Sequence, residues 1–267
     1  MRYTLMNNSF SKRHGFQPIE KKITVRHDAP YELRGVIVDI AYATGFSPRT
    51  LRPVVCNTLG KRPNPGNWTE YPNIDNEIHN LIDDCEWYQV YDVIEDVYSA
   101  ASIPEKFEEE INSCFKTEGI GWQLINGKIE VRGDEGFETA IKEASSAIKE
   151  SDLKTASNEI HEAILDLSRR PDPDITGAVQ HAMAALECVA REICGDQKAT
   201  LGDILKRYDR LIPKPLDAAI EKAWGYASEM GRHLREGRNP TFEEAELLVG
   251  VCASMSAYLL KKRNSRV

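Results

Sequence analysis

The densest group of side chains that could act on a phosphate lies near the C-terminus, in the run SEMGRHLREGR. A histidine can take a proton near neutral pH, and guanidinium groups can stabilise the negative charge that grows on a phosphate during RNA cleavage. The alternative is a helix C-terminus, where cationic side chains favourably meet exposed carbonyls. On the first hypothesis the proposed catalytic residues are Arg232, His233 and Arg238, with Ser228 and Arg235 as supporting residues.

Two further groups could assist such a site. Glu187 and Arg191 are one helical turn apart, which predicts either an ordinary ion pair within the helix or, if they face inward, support for Arg232 or His233. Two Arg-His pairs near the N-terminus could touch the phosphates of a nucleic acid, although ordinary surface exposure is the simpler explanation. These candidates for nucleic-acid binding are Arg13, His14, Arg26 and His27.

The composition is that of an ordinary globular protein of 267 residues, 41% hydrophobic and 28% charged, which predicts about two domains. The net charge of −8 is uneven, with +7 over residues 1–62 (11 minus 4) and −12 over residues 63–125 (2 minus 14). Two oppositely charged solvated faces would explain this asymmetry.

No apolar run is long enough to form a signal peptide or to span a membrane, and the six cysteines are dispersed with no Cys-x-x-Cys pair. We therefore expect a cytoplasmic protein with no membrane association. We expect no bound metal and no cofactor either, because the motifs of zinc, nucleotide and dinucleotide sites do not occur.

The N-terminal half should be mainly helical. The apolar spacing predicts a helix over residues 30–43, a short helix from Thr50 capped by its own hydroxyl, and a loop from Gly60 to Pro72. One long helix should then run from an N-cap at Asp75 through Val97, and a shorter one from Pro104 to Cys114. The dipeptide Asn126-Gly127 between two short extended runs predicts a β-hairpin.

The C-terminal half shows four substantial helices with short connections, which favours an antiparallel bundle. Amphipathic patterns predict helices over Glu135–Lys149, Thr155–Ser168, a long one after a Thr176 cap, and Leu216 to about Leu234. Thr241 and Glu244 predict a capping box at the start of the last helix. The predicted domains are residues 1–118, a hairpin connector 119–133, and residues 134–267.

Several ungapped runs carry a family resemblance. ITGAVQHAMAALECVAREICGD, IPKPLDAAIEKAWGYASEMGRHLREGR and FEEAELLVGVCASMSAYLLKK resemble the C-terminal HEPN domain of AbiJ-type abortive-infection proteins, whereas FSKRHGFQP and GIGWQLINGKIEVRG resemble their N-terminal, sensor-like domain. The resemblance implies a four-helix bundle that forms a homodimer and often acts as a metal-independent endoribonuclease, with RNA as its substrate and a phage-derived trigger.

The resemblance also implies a specific nuclease motif, in which a histidine follows an arginine by four to six residues. This sequence departs from it, because Arg232 and His233 are adjacent and Arg238 follows the histidine. Two other hypotheses therefore stay open: a catalytically inactive sensor or adaptor, and an antitoxin-like dimer that partners a nucleotidyltransferase.

Overall fold

The computed structural model describes residues 21–208, 210–232 and 240–264, together with the single positions Phe10 and His14. The chain forms two compact units, Met1–Arg132 and Gly133–Val267. Both are built mainly from α-helices, and the described part contains one small antiparallel hairpin, so the predicted mainly α fold with a hairpin is confirmed. The division at residues 118 and 133 stays a prediction; by packing, the chain divides once, after Arg132.

The first unit contains five helices among its described residues. A wide turn over Glu70–Ile74 precedes the third helix. The elements are α1 Tyr31–Ala43, α2 Pro48–Thr58, α3 Asp75–Asp84, α4 Trp87–Ala100, α5 Pro104–Glu118, β1 Trp122–Ile125 and β2 Lys128–Val131.

The apolar stripe that predicted α1 forms part of the core of this unit. Leu33, Ile37 and Ala41 are fully buried on it, and Phe107 and Ile111 of α5 are fully buried too. Burying side chains of this size contributes roughly 1.5–3 kcal/mol each, so this core stabilises the unit.

Three predictions about helix ends in the first unit are wrong. Asp75 is the first residue of α3 and not its N-cap, because the turn over Glu70–Ile74 leads directly into the helix. The cap of α2 is Ser47, with Thr50 as its partner three residues later in a capping box, because Pro48 suits the first helical position. The predicted long helix from Asp75 to Val97 breaks at Cys85, whose ψ of 160° is extended. Glu86 then starts α4 through a capping box with Gln89, so local capping overrides the continuous apolar stripe.

The predicted β-hairpin is confirmed. Asn126 and Gly127 both have positive φ, 49° and 81°, as a type I′ turn requires. A Cβ at Gly127 would also lie 2.6 Å from the Tyr98 ring. Asn112 of α5 pairs with the backbone of Leu124 in both directions at 2.7 Å, which fixes β1 on the helix.

The segment before α1, residues 21–26, crosses this hairpin. Val25 bridges Ile120 in parallel, and Trp122 donates from Nε1 to the Arg26 carbonyl at 3.1 Å. The close approach requires a glycine, since a Cβ at Gly119 would meet the Lys22 carbonyl at 2.5 Å and φ there is +68°. Residues 21–26 and the hairpin are therefore one packed layer.

The second unit is helical throughout its described elements. The elements are α6 Glu135–Glu150, α7 Lys154–Ser168, α8 Ile175–Cys194, α9 Leu201–Arg207, α10 Leu216–Arg232 and α11 Phe242–Asn264. Helices α8 and α11 are the central pair. Helix α11 packs on α6 and α8, and α8 also packs on α7, α9 and α10.

The helix ends of the second unit follow the predictions with one exception. Thr241 and Glu244 form the predicted capping box of α11. The Thr241 amide donates to Glu244 Oε2 at 3.0 Å, and the Glu244 amide donates to Thr241 Oγ1 at 3.2 Å. Gly195 ends α8 in the left-handed conformation. The predicted cap Thr176 is wrong, because Asp174 accepts from the Gly177 amide at 2.8 Å. An aspartate two residues earlier is as good a cap and reaches the third amide of the helix.

Candidate functional site

The predicted nuclease centre lies largely outside the described residues. Arg232 is the last described residue of α10, and its side chain lies outside the described part. Ser228 is half-buried on α10. The positions His233, Arg235 and Arg238, and also Arg13, lie outside the described residues, so the catalytic assignment stays a prediction.

Glu187 and Arg191 form the predicted ion pair on α8, with 2.6 Å between Oε1 and Nη2. Both side chains also hold the connection that follows the helix. Arg191 donates from Nε to the Ala199 carbonyl at 2.7 Å, and the Leu201 amide donates to Glu187 Oε2 at 2.7 Å. The pair therefore anchors the start of α9, and its support of Arg232 or His233 stays a prediction.

The Arg-His pairs near the N-terminus occupy different environments. Arg26 donates from Nη1 to the carbonyls of Gly121 and Arg132, at 3.3 and 3.2 Å, so it holds the hairpin. His27 is exposed, and its ring centroid lies 6.1 Å from that of Trp87, with the two rings nearly perpendicular. His14 is exposed and lies 4.4 Å from the Phe10 ring. Their contact with nucleic acid stays a prediction.

An ionisable cluster that the sequence analysis missed lies on α7 and α8. His181 lies between two carboxylates, with Nδ1 2.7 Å from Glu159 Oε2 and Nε2 3.7 Å from Asp166 Oδ2. Glu159 and Asp166 are seven residues apart, so two turns of α7 place them on one face, and this spacing was the available signal. An imidazole held in this way can exchange a proton, since part of its surface is open to solvent.

Asp166 is the buried member of this cluster, with 2% of its side chain exposed. Its Oδ1 lies 3.0 Å from Arg169 Nη2, but the two are not aligned as a hydrogen bond. Burial raises the pKa of Asp166 most, and Asp174 raises it further, whereas Arg169 and His181 act in the opposite direction. The net shift is upward, so this carboxyl holds its proton more strongly than an ordinary aspartate.

A second ionisable cluster, in the first unit, is centred on Glu77 of α3. Its carboxylate accepts from the Asn64 amide at 2.6 Å, from Asn67 Nδ2 at 3.0 Å and from Arg52 Nη1 at 3.3 Å. Burial raises the pKa of Glu77, but these donors outweigh it and lower the pKa overall. These bonds hold the loop before α3 against α2 and α3.

An apolar groove lies among α6, α10 and α11. Its volume is about 870 Å³, and Phe137, Ile220 and Met255 line it. Asp134, Glu243 and Glu246 also line it, so acidic side chains accompany the apolar surface. The groove could accept an apolar group of a partner.

The described residues contain no group of three or more histidine, cysteine or acidic side chains arranged to hold a metal ion. All six cysteines are free, and burial raises the pKa of Cys114 and of Cys252 to about 12, which keeps these two thiols protonated. Within the described part, no helix has both the length and the apolar character needed to cross a membrane.

Comparison with known proteins gives one match. A family model described as AbiJ N-terminal domain 4 matches residues 8–147, which is just over half of the chain. The match covers every described element of the first unit and runs into α6. No curated protein and no solved structure matches the chain.

Proposed function

Because the chain belongs to the AbiJ N-terminal domain 4 family, we propose that it acts in abortive infection, in which a bacterial cell stops growing before a phage completes its cycle. The observation that carries this proposal is the match over residues 8–147, which contains the whole first unit apart from its first seven residues. The second unit then supplies the toxic activity, and the first unit responds to a phage-derived trigger.

We further propose that the second unit is a metal-independent endoribonuclease of the HEPN type. Its residue pattern supports this, because the imidazole of His233 and the guanidiniums of Arg232 and Arg238 occur within seven residues of the sequence. His233 would take the proton of a ribose 2′-hydroxyl, whose oxygen attacks the neighbouring phosphorus. The bond from phosphorus to the 5′-oxygen breaks as that oxygen takes a proton from the protonated His233 or from water, and the products are a 2′,3′-cyclic phosphate and a 5′-hydroxyl.

In this reaction Arg232 and Arg238 would stabilise the charge on the phosphate, with Ser228 and Arg235 beside them. A homodimer would bring two copies of the same segment together, since a twofold interface joins identical surfaces. The adjacency of Arg232 and His233 favours a second candidate function, an inactive sensor or adaptor that signals by assembly alone.

A phage challenge tests the defence and the chemistry together. Bacteria that express the chain should survive as a culture at low phage dose and plate phage at a reduced efficiency. His233→Ala should abolish protection, whereas Lys222→Ala, an exposed α10 position outside the cluster, should retain it. RNA from infected cells should show cleavage with 5′-hydroxyl ends.

The outcomes separate the candidates. Protection by His233→Ala with intact RNA would refute the nuclease and support the adaptor. Unprotected cells with the wild-type chain, across phages of several classes, would count against the defence role itself.

A further inference from the structure

The loop after α2 and the first residues of the turn over Glu70–Ile74, together residues 60–72, expose two aromatic rings. Trp68 is 74% exposed and Tyr71 is 61% exposed. Among the described residues, Trp68 has no ring or hydrogen-bond partner, whereas Tyr71 meets only the Tyr42 ring, edge-on at 6.4 Å. Indole is usually buried because of its large apolar area, so an open ring in an ordered loop is available to a ligand.

The same loop begins with two cationic side chains. Lys61 and Arg62 are exposed, and neither has an ion-pair partner in the part of the chain that the structure describes. A third cation, Arg49, is paired with Glu70 at 3.2 Å and remains largely open to solvent. The loop therefore carries two exposed aromatic rings and, at its start, two cationic side chains with no ion-pair partner among the described residues.

The loop is held in place before any ligand binds. Arg52 donates to the Asn67 carbonyl at 2.9 Å, and Glu77 accepts from the Asn64 amide and the Asn67 side chain. Gly66 donates to Asn64 Oδ1 at 2.9 Å, which closes a turn just before Trp68. A fixed backbone lowers the entropy that binding would otherwise cost.

We propose that the Trp68 loop, residues 60–72, binds single-stranded nucleic acid. Unpaired bases expose their faces and stack on aromatic side chains, whereas a duplex hides those faces and offers phosphates alone. Lys61 and Arg62 would contact the phosphates of the same strand. This site shares no residue with the proposed nuclease centre and uses residues of the first unit only.

Anisotropy measurements on the full chain test this proposal. The probes are a fluorescein-labelled oligothymidine of 20 nucleotides, which has no 2′-hydroxyl to be cleaved, and a 20-base-pair duplex of mixed sequence. All proteins carry His233→Ala, so that the proposed nuclease centre contributes less. We expect the single strand to bind more tightly than the duplex.

Variants identify the surface. Trp68→Ala should raise the Kd about tenfold through loss of one stacked base, and Trp68→Phe should retain most of the affinity. Tyr88→Ala is the matched control, because Tyr88 is an aromatic residue of the same unit, 52% exposed on α4 and outside the loop. The combined Lys61→Ala and Arg62→Ala variant should reduce the slope of log Kd against log salt by about 1.4, at about 0.7 per phosphate contact.

Three results would overturn the proposal. They are equal losses in Trp68→Ala and Tyr88→Ala, equal or tighter binding of the duplex, and no saturable binding of oligothymidine below millimolar protein. Binding of a proline-rich peptide in place of the oligonucleotide would reassign the surface to protein recognition. Thermal unfolding of Trp68→Ala should match the wild type, since the ring is exposed, and this excludes misfolding as the cause.

Discussion

Two carboxylates, one in each unit, are both withdrawn from solvent and behave in opposite ways. Glu77 is 10% exposed and Asp166 is 2% exposed. Glu77 is met by three donors with hydrogen-bond geometry, whereas the oxygens of Asp166 face an unaligned guanidinium at 3.0 Å and an imidazole at 3.7 Å. The pKa of Glu77 is lowered and that of Asp166 is raised.

The difference shows that the alignment of donors, more than burial, decides whether the pKa of a withdrawn carboxylate is lowered or raised. Glu77 has a structural task, since its charge holds the Trp68 loop. Asp166 lies beside an imidazole that is partly open to solvent, and a carboxyl with a raised pKa is a common feature of sites that exchange protons. The cluster of His181, Glu159 and Asp166 is therefore the better candidate of the two for proton exchange.

The largest effect should come from Glu77→Ala. The change leaves Asn64, Asn67 and Arg52 without their acceptor, and we expect the free energy of unfolding of the first unit to fall by about 2–3 kcal/mol. Hydrogen exchange over residues 60–84 measures this locally, and Glu32→Ala, an exposed acidic position on α1, is the control. Unchanged exchange at Asn64 would mean that the loop is held by something other than this carboxylate.

A smaller effect should come from Gly177→Ala on α8. Its Cβ would lie 2.4 Å from Asp166 Oδ2 and 2.8 Å from the Asp174 carboxyl, so crowding against a buried group opposes the gain in helix propensity. We expect a net loss of about 1 kcal/mol, from an overpacking cost of roughly 1–3 kcal/mol less about 1 kcal/mol of propensity.

Gly225→Ala is the matched control for this substitution. Gly225 lies within α10, and a Cβ there would meet nothing within 4 Å, so that variant should gain about 0.5–1 kcal/mol in urea unfolding. If both variants gained equally, the Asp166 carboxyl would have room to move, and the contrast with Glu77 would weaken.

The smallest effect at neutral pH should come from Asp166→Asn, a change of less than about 1 kcal/mol, because the folded state already disfavours the charged form. The pH dependence is more informative. Asp166 contributes stability that is present below the unfolded pKa of about 3.9 and is lost as pH rises through its raised folded value. Glu77 contributes stability that is present above about pH 4.3 and is lost as pH falls through its lowered folded value.

Urea unfolding between pH 3 and pH 7 should therefore separate the two groups. As pH falls, the wild type should become more stable relative to Asp166→Asn. Over the same range, the wild type should become less stable relative to Glu77→Gln. Shifts in the same direction would show that the two carboxylates do not differ as described.

Local patterns predicted most of the fold. The helix over 30–43, the Asn126-Gly127 hairpin, the Thr241 capping box and the Glu187–Arg191 pair each depend on residues within a few positions of one another, and each is confirmed. The break at Cys85 was missed because the apolar stripe runs through it and Glu86 is not a typical capping residue.

The clusters could not be derived in the same way. Glu77 meets partners 10 to 25 positions away, and His181 meets residues of another helix, so both depend on how helices and loops pack. Arg26, chosen for its charge, directs its guanidinium at two carbonyls. Side-chain type alone cannot distinguish a phosphate ligand from a residue that stabilises backbone.

The layer formed by residues 21–26 and the hairpin ties the segment before α1 to the last residues of the first unit. Lys21 bonds to the carbonyl of Lys116 at 3.0 Å, and the Arg26 guanidinium reaches the carbonyl of Arg132, the last residue of the unit, at 3.2 Å. The unit thus carries the bonds that fix its own last residue, because the Arg132 carbonyl is held from within it. A fusion joined after Arg132 should therefore transfer this unit to a different effector without rebuilding its core.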